Sequence, residues 1–273
     1  MAAPLLCAVD LTALADCTVR FAAVFARLTG APVTLFYARE RGDAADAAAR
    51  LAELAEGIAG TGLAVQTESA EGDPAEAIVR RAAALDAAAI VMGTHGGRGM
   101  ERLMLGSVAE SVLHRAGRPV ATLRGSWHSD GPIRRIVCGA DLHDPTPLRY
   151  AADLARRSSA ELVVVHAVKD LPEEGGHGLV PVSYGPALLE EARRSVGRAV
   201  ASLDAPRERV STRVVPGSPS RALVRIAEEE SADLLVVGVH PHVLGSTTHP
   251  IVRGAHCPVL TIPPGGAGGK EIA

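Results

Sequence analysis

Aromatic side chains are nearly missing from this chain of 273 residues, which holds three Phe, three Tyr and one Trp. So few scattered rings cannot build a stacking platform for single-stranded bases. The formal net charge of −3 supplies no basic field for a phosphate backbone either. Nucleic acid is therefore set aside as a partner. Long apolar runs are also missing: no stretch approaches the roughly 18 residues that a bilayer crossing needs. The opening MAAPLLCAVDLT has no basic region and meets Asp10 after one short apolar run. That pattern predicts no signal peptide and a cytoplasmic protein. Cys7, Cys17, Cys138 and Cys257 form no C-x-x-C pair, so they read as reduced core residues rather than a redox or metal motif.

What is present is the balance of a folded protein, with 47% hydrophobic and 22% charged residues. Alanine and valine dominate, which predicts a core of small aliphatic side chains with helices packed on a parallel sheet. The length exceeds a typical single domain and favours two of similar size.

Self-similarity confirms that division within the sequence itself. LLCAVDL at Leu5 returns as RIVCGADL at Arg135, aligning Asp10 with Asp141. VTLFYA at Val33 returns as LVVVHA at Leu162, and GDPAEAIVRRA at Gly72 as GSPSRALVRIA at Gly217. AAIVMG ending at Gly93 returns as DLLVVG ending at Gly238, and RPVATL at Arg118 as CPVLTI at Cys257. The offset runs 131, 129, 145 and 139 along the chain. The second copy thus gained residues around Glu173–Pro186 and lost six after Gly238. Loop insertions are cheap, whereas the loss falls on a candidate site. The expected boundaries are a first domain at 1–126, a second at 132–264 and a flexible tail at 265–273. The polar, glycine-rich GSWHSDG (Gly125–Gly131) serves as linker.

In each copy short β-branched runs alternate with alanine-rich helical patterns, the signature of a doubly wound, Rossmann-like parallel α/β sheet. The strands of copy one are predicted at Leu5–Val9, Val33–Tyr37, Leu63–Glu68, Ala89–Met92 and Val120–Leu123. A helix after Asp10 places Leu14, Cys17, Phe21, Phe25 and Leu28 on one face. Asp73 can cap the next helix, with Pro74 at its first position, and Ser218-Pro219 repeats this. Ligands collect at the carboxyl ends of strands near the switch point. Asp10 and Gly93 end the first and fourth strands, so the site is sought there.

After Met92 the chain reads GTHGGRGMERLMLGSVAESVLHRA. Gly93 and Gly96 let backbone approach a ligand, with φ > 0 where needed. Gly106, Ser107 and Val108 open a helix and offer its amides to an anion. Arg98 and Arg102 add positive charge, and Ser107 a hydroxyl, as helix cap or as phosphate ligand. His95 reads equally as a solvated loop residue or a ligand contact. Asp10 reads either as a cap for the following helix or as a partner for sugar hydroxyls.

G-x-x-G, nine residues, then G-S before a helix is the pattern by which this chain resembles the universal stress protein family. The resemblance covers both copies, including the Asp ending each first strand, the G-D/S-P turn and the P-V last strand. It implies an adenine nucleotide alpha hydrolase-like fold, a five-stranded parallel sheet flanked by helices, in each half. By match, Gly93, His95, Gly96, Gly106, Ser107 and Val108 would line the phosphates and ribose of ATP, ADP or AMP. Asp10, with Val9 and Ala38, would stand near adenine and ribose, Met92 would close the adjoining strand, and Arg98 would supply charge. Mg²⁺ would enter only with the nucleotide. The family also implies edge-to-edge pairing of the last strands, Val120–Leu123 with Val259–Ile262, within the chain or in a homodimer. Two departures are Gly97, where the family often has Arg, and Ala109, where some members have a hydroxyl.

Copy two reads VVGVHPHVLGSTTHP, with Pro241 in place of the second glycine. Proline fixes φ and removes a donor, so weak or absent nucleotide binding is expected there, with Gly245-Ser246 left for a lone anion. His240, His242, His249 and His143 match no metal spacing, and no metal site is predicted. The leading function is a nucleotide-binding, stress-responsive regulator. There is no G-x-x-x-x-G-K-[ST] and no nucleophile paired with a base. The alternatives are slow phosphoryl or nucleotidyl transfer using Asp10 or His95, and a scaffold whose site is vestigial.

Overall fold

A computed structural model describes residues 2–12, 14–39, 44–60, 62–94, 105–125, 127, 129, 131–169, 185–203, 207–239 and 247–266. The chain forms two compact units, Met1–Pro132 with Gly266–Ala273, and Ile133–Gly265. His95, Gly96, Gly97, Arg98 and Arg102, and likewise His240, Pro241, His242, Gly245 and Ser246, lie outside the described residues.

The first unit runs β1 (Leu5–Ala8), α1 (Ala15–Thr29), β2 (Val33–Arg39), α2 (Ala44–Ala59), β3 (Val65–Glu71), α3 (Pro74–Ala84), β4 (Ala89–Gly93), α4 (Ser107–Arg115) and β5 (Val120–Leu123). All its strand pairs are parallel, in the order β3-β2-β1-β4-β5. The second unit repeats the plan with β6 (Arg135–Gly139), α5 (Thr146–Ser158), β7 (Glu161–Val168), α6 (Gly185–Ala201), β8 (Val210–Pro216), α7 (Pro219–Glu229), β9 (Leu234–Gly238), α8 (Thr248–Gly254) and β10 (Val259–Ile262). Its order is β8-β7-β6-β9-β10, again all parallel.

The small aliphatic core follows from the composition. β1, β4 and β5 are buried at nearly every position, as strands with both faces covered must be. β3 differs from the expected Leu63–Glu68. It begins at Val65 and continues to Glu71, every residue in register with β2 from Val33↔Val65 to Arg39↔Glu71. As the sheet's outer strand it is largely exposed, so a polar sequence is tolerated and its apolar signal is weak.

Among the helices whose N-cap residue is described, only α3 carries a side-chain capping bond. Asp73 accepts from the Glu76 amide at 2.9 Å and Pro74 takes the first position of α3. Pro219 repeats the second feature in α7, but Ser218 makes no capping bond; its hydroxyl meets that of Ser220 at 3.1 Å. In α1 the expected face holds for Cys17, Phe21 and Phe25, whereas Leu14 precedes the helix and stays 38% exposed. The linker is less detached than its composition suggests. Trp127 lies edge-on to Phe21 with ring centroids 5.3 Å apart, and the Trp127 amide donates to the Arg124 carbonyl.

Candidate functional site

The order β3-β2-β1-β4-β5 places the reversal of winding between β1 and β4. The chain builds outward from β1 through β2 to β3, then returns to the other side of β1. At such a point a doubly wound fold sends successive connections to opposite faces of the sheet, and ligands collect at the carboxyl ends of the strands there. Asp10 follows β1 and Gly93 ends β4, so the structure brings these two expected residues to the same rim.

On the β1 side, the Val9 amide donates to the Phe36 carbonyl at 3.0 Å and the residue is buried. Asp10 is exposed beyond it. Its Oδ1 accepts from the Thr12 amide at 3.1 Å and from the Thr12 hydroxyl at 2.8 Å. The Thr12 hydroxyl in turn accepts from the Leu14 amide at 3.2 Å. Asp10 therefore does not cap α1 directly; Thr12 stands between them. The turn passes through Leu11 at φ 60°, a left-handed conformation that a branched side chain adopts only under constraint. Ala38 lies half-exposed near the end of β2, paired in register with Ala70.

On the β4 side, Met92 is buried between Ala8 of β1 and Thr122 of β5, and Gly93 pairs with Leu123. Thr94 is buried and its amide donates to the Leu123 carbonyl at 2.9 Å, prolonging the ladder by one bond. The Thr94 carbonyl then accepts from the Gly106 amide at 2.8 Å. That bond ties the start of α4 to the end of β4 and closes the base of the intervening loop. Gly106 is the N-cap residue of α4, with φ −65° and ψ 145°.

Two expectations change. The Gly106 amide is used inside the protein, so it is not available to an anion. Ser107 is the first helical residue and exposed, not the cap. What remains at the helix start are the amides of Ser107, Val108 and Ala109, which α-helical geometry leaves without intrahelical partners. No bond to another described residue uses them. Charge along α4 supports its dipole, with Glu110 in the first turn and His114 and Arg115 in the last.

The backbone at Gly106 is ordinary extended conformation, and Gly93 likewise has no positive φ. Neither glycine is required by its own dihedrals. A missing Cβ at such positions leaves space, the property a backbone cradle needs. Gly238, the counterpart of Gly93, has a different reason: a Cβ there would stand 2.9 Å from Pro147 Cγ.

Two residues of this rim escaped the sequence reading, Thr12 and Thr94. Thr12 carried a signal, since Asp-x-Thr is a composition from which Asx-turns form. Thr94 resembles any residue after a strand, and only the ladder shows its role. Among the described residues no group of three or more His, Cys, Asp and Glu side chains could hold a metal ion. No helix of the described residues is long and apolar enough to cross a membrane.

The second unit builds the same β-strand rim. The Ala140 amide donates to the Val165 carbonyl at 2.8 Å, and Asp141 accepts from the His143 amide at 2.9 Å. His166 replaces Tyr37, its Nδ1 2.9 Å from the Ala140 carbonyl. A carbonyl only accepts, so that nitrogen carries the proton. α8, however, begins at Thr248 with Thr247 as its N-cap residue, whereas α4 begins at Ser107 behind Gly106.

The family model for the universal stress protein family matches residues 1–124 and again 132–263. A universal stress protein of Mycobacterium tuberculosis (strain H37Rv) is 33% identical over 190 residues, 64% of this chain and 61% of the relative. The match therefore spans about three fifths of that relative's length. A universal stress protein of Methanocaldococcus jannaschii is 40% identical over 142 residues, 47% of this chain and 81% of its own. Among solved structures, a putative universal stress protein from Pseudomonas aeruginosa UCBPP-PA14 superposes with a TM-score of 0.72 at 19% identity. That match covers 96% of this chain and 94% of the other, and speaks for the fold alone. The chain belongs to the universal stress protein family, and carries its domain twice.

Proposed function

We propose that the first unit binds an adenine nucleotide, ATP or its di- or monophosphate, in the crevice between β1 and β4, and that the protein acts as a cytoplasmic, nucleotide-responsive regulator of a stress response. The observation that carries this reading is the start of α4. The Ser107 and Val108 amides open at the carboxyl rim of β4, behind a glycine whose backbone does not itself require glycine. Amides at a helix start favour phosphate through their donors and the dipole together. Asp10, on the β1 side of the same crevice, supplies an acceptor for ribose hydroxyls. His95, Gly96 and Arg98 complete the phosphate side in this reading, with Val9, Ala38, Met92 and Gly93 lining the floor. Mg²⁺ enters as the nucleotide's own counterion. The same reading has the last strands, Val120–Leu123 and Val259–Ile262, as the pairing edges, within the chain or between copies.

Nucleotide released from the denatured, purified protein is identified by chromatography, and the stripped protein is titrated calorimetrically with ATP. Gly106→Leu keeps an accessible φ and ψ but fills the space before the helix. It should fold, by circular dichroism, and lose affinity by about tenfold or more, one lost charge-assisted contact being worth at least that. Unchanged affinity in a folded Gly106→Leu protein rejects the assignment.

A further inference from the structure

We propose that occupancy of the first unit's site is relayed to the interdomain linker through the first turn of α1, with Thr12, Leu14 and Gly125 as the relay and Trp127 as the residue that responds. This rests on the nucleotide reading above and adds the route by which binding leaves the site.

The route is a chain of direct contacts. The Asp10 carboxylate holds the Thr12 amide and hydroxyl on one oxygen, and the Thr12 hydroxyl accepts the Leu14 amide. Leu14 is where the chain enters α1, and its side chain lies against Gly125 so closely that a Cβ on residue 125 would collide with Leu14 Cδ2. Gly125 has no positive φ, so its own backbone does not call for glycine; the approach of Leu14 does. Two residues on, Trp127 packs edge-on at 89° against Phe21, which is fully buried in the same helix and stacks on Phe25. α1 and the Leu14 that leads into it thus meet the beginning of the Gly125–Gly131 linker at two places, and Leu14 is linked to Asp10 through Thr12.

A sugar hydroxyl donated to Oδ1 of Asp10 competes with the Thr12 amide and hydroxyl, which already fill that oxygen's two lone pairs. When Thr12 turns, its bond to the Leu14 amide changes with it, and Leu14 meets Gly125 differently. The strained Leu11, at φ 60°, is a conformation the turn can leave. A two-state contact biased by the ligand is what a coupling route requires, beyond mere proximity.

The chain has a single tryptophan, so its indole emission reads this position alone. The test compares ATP titrations followed by tryptophan fluorescence and by calorimetry, in the wild type, Gly125→Ala and Leu14→Ala. A Cβ at residue 125 meets only the far end of an exposed leucine, which rotates away, so Gly125→Ala should fold normally. The wild type should show a saturable emission change whose midpoint matches the calorimetric Kd. Both variants should lose about half or more of that change while keeping the calorimetric Kd within about threefold. Calorimetric binding with no emission change, or variants whose emission responds as fully as the wild type, overturns the relay and leaves the nucleotide reading standing. Absence of calorimetric binding overturns both.

Discussion

At the residue scale, the cysteines show how far burial alone determines chemistry. All four thiols are free and buried. Desolvation pushes Cys138 and Cys257 up from the ordinary 9.0 to about 12, and raises Cys7 and Cys17 as well. The sign for stability follows from linkage. In the folded state each thiol holds its proton to higher pH than in the unfolded chain, so the contribution is whole below about pH 9 and is lost as pH climbs towards 12. Within that window each buried thiol steepens the loss by up to about 1.4 kcal/mol per pH unit. Urea midpoints measured at neutral pH and near pH 10 should fall, and Cys138→Ala should show a smaller fall despite starting slightly less stable. An equal fall in both proteins would mean that other groups govern the alkaline limb. The reduced, packed role of these cysteines was legible because spacing alone excluded motifs. The bond between the Gly106 amide and the Thr94 carbonyl was not legible, because Gly-Ser before a helix has the same sequence whether its first amide is free or used.

At the element scale, α3 and α7 are the same turn of the two copies with different caps. Both start with proline at the first position, behind Gly72 at φ 133° and Gly217 at φ 101°. Only Asp73 reaches its helix, through the Glu76 amide. Asp73→Ala should cost about 1 kcal/mol, whereas Ser218→Ala should cost less than about half of that, since no helix amide loses a partner. Thermal unfolding of each variant against the wild type checks the contrast: a shift of about 2–4 °C for the first and a smaller one for the second. Equal shifts would show that the aspartate bond is not what secures α3. The turn was readable from Gly-Asp-Pro, but a serine in the same slot has two directions to bond, and sequence does not choose between Ser220 and the backbone. β3 shows a related limit. Its Ser69–Glu71 end reads as loop by polarity, yet the ladder to β2 continues, because an outer strand owes its existence to hydrogen bonds more than to apolar side chains.

At the scale of the whole molecule, the duplication is recorded in backbone conformation as well as in sequence. Left-handed residues recur at Gly30 and Ser159, and at Asp86 and Ser231, with the offsets of the matching sequence blocks. The strand order recurs in full. Architecture was therefore legible from five repeated blocks, since each block is a strand or a turn fixed by local chemistry. The two copies differ in sequence and length in the segment after the fourth strand. α4 opens directly behind Gly106, whereas α8 opens at Thr248, three residues past Gly245, and is two residues shorter at seven against nine. At Gly238 a Cβ would stand 2.9 Å from Pro147 Cγ, and Pro241 brings no N–H donor. The β1-side rim nevertheless survives as Ala140 and Asp141. A unit that keeps the sugar side and loses the phosphate side should bind nucleotide weakly, so the chain should take up one ATP with high affinity rather than two. Calorimetric stoichiometry of the stripped protein near one, with an affinity lowered by Gly106→Leu and unaffected by Gly245→Leu, fits this division of labour. Two sites of equal affinity would contradict it, because an equally tight second site would need phosphate donors from somewhere other than the start of α8.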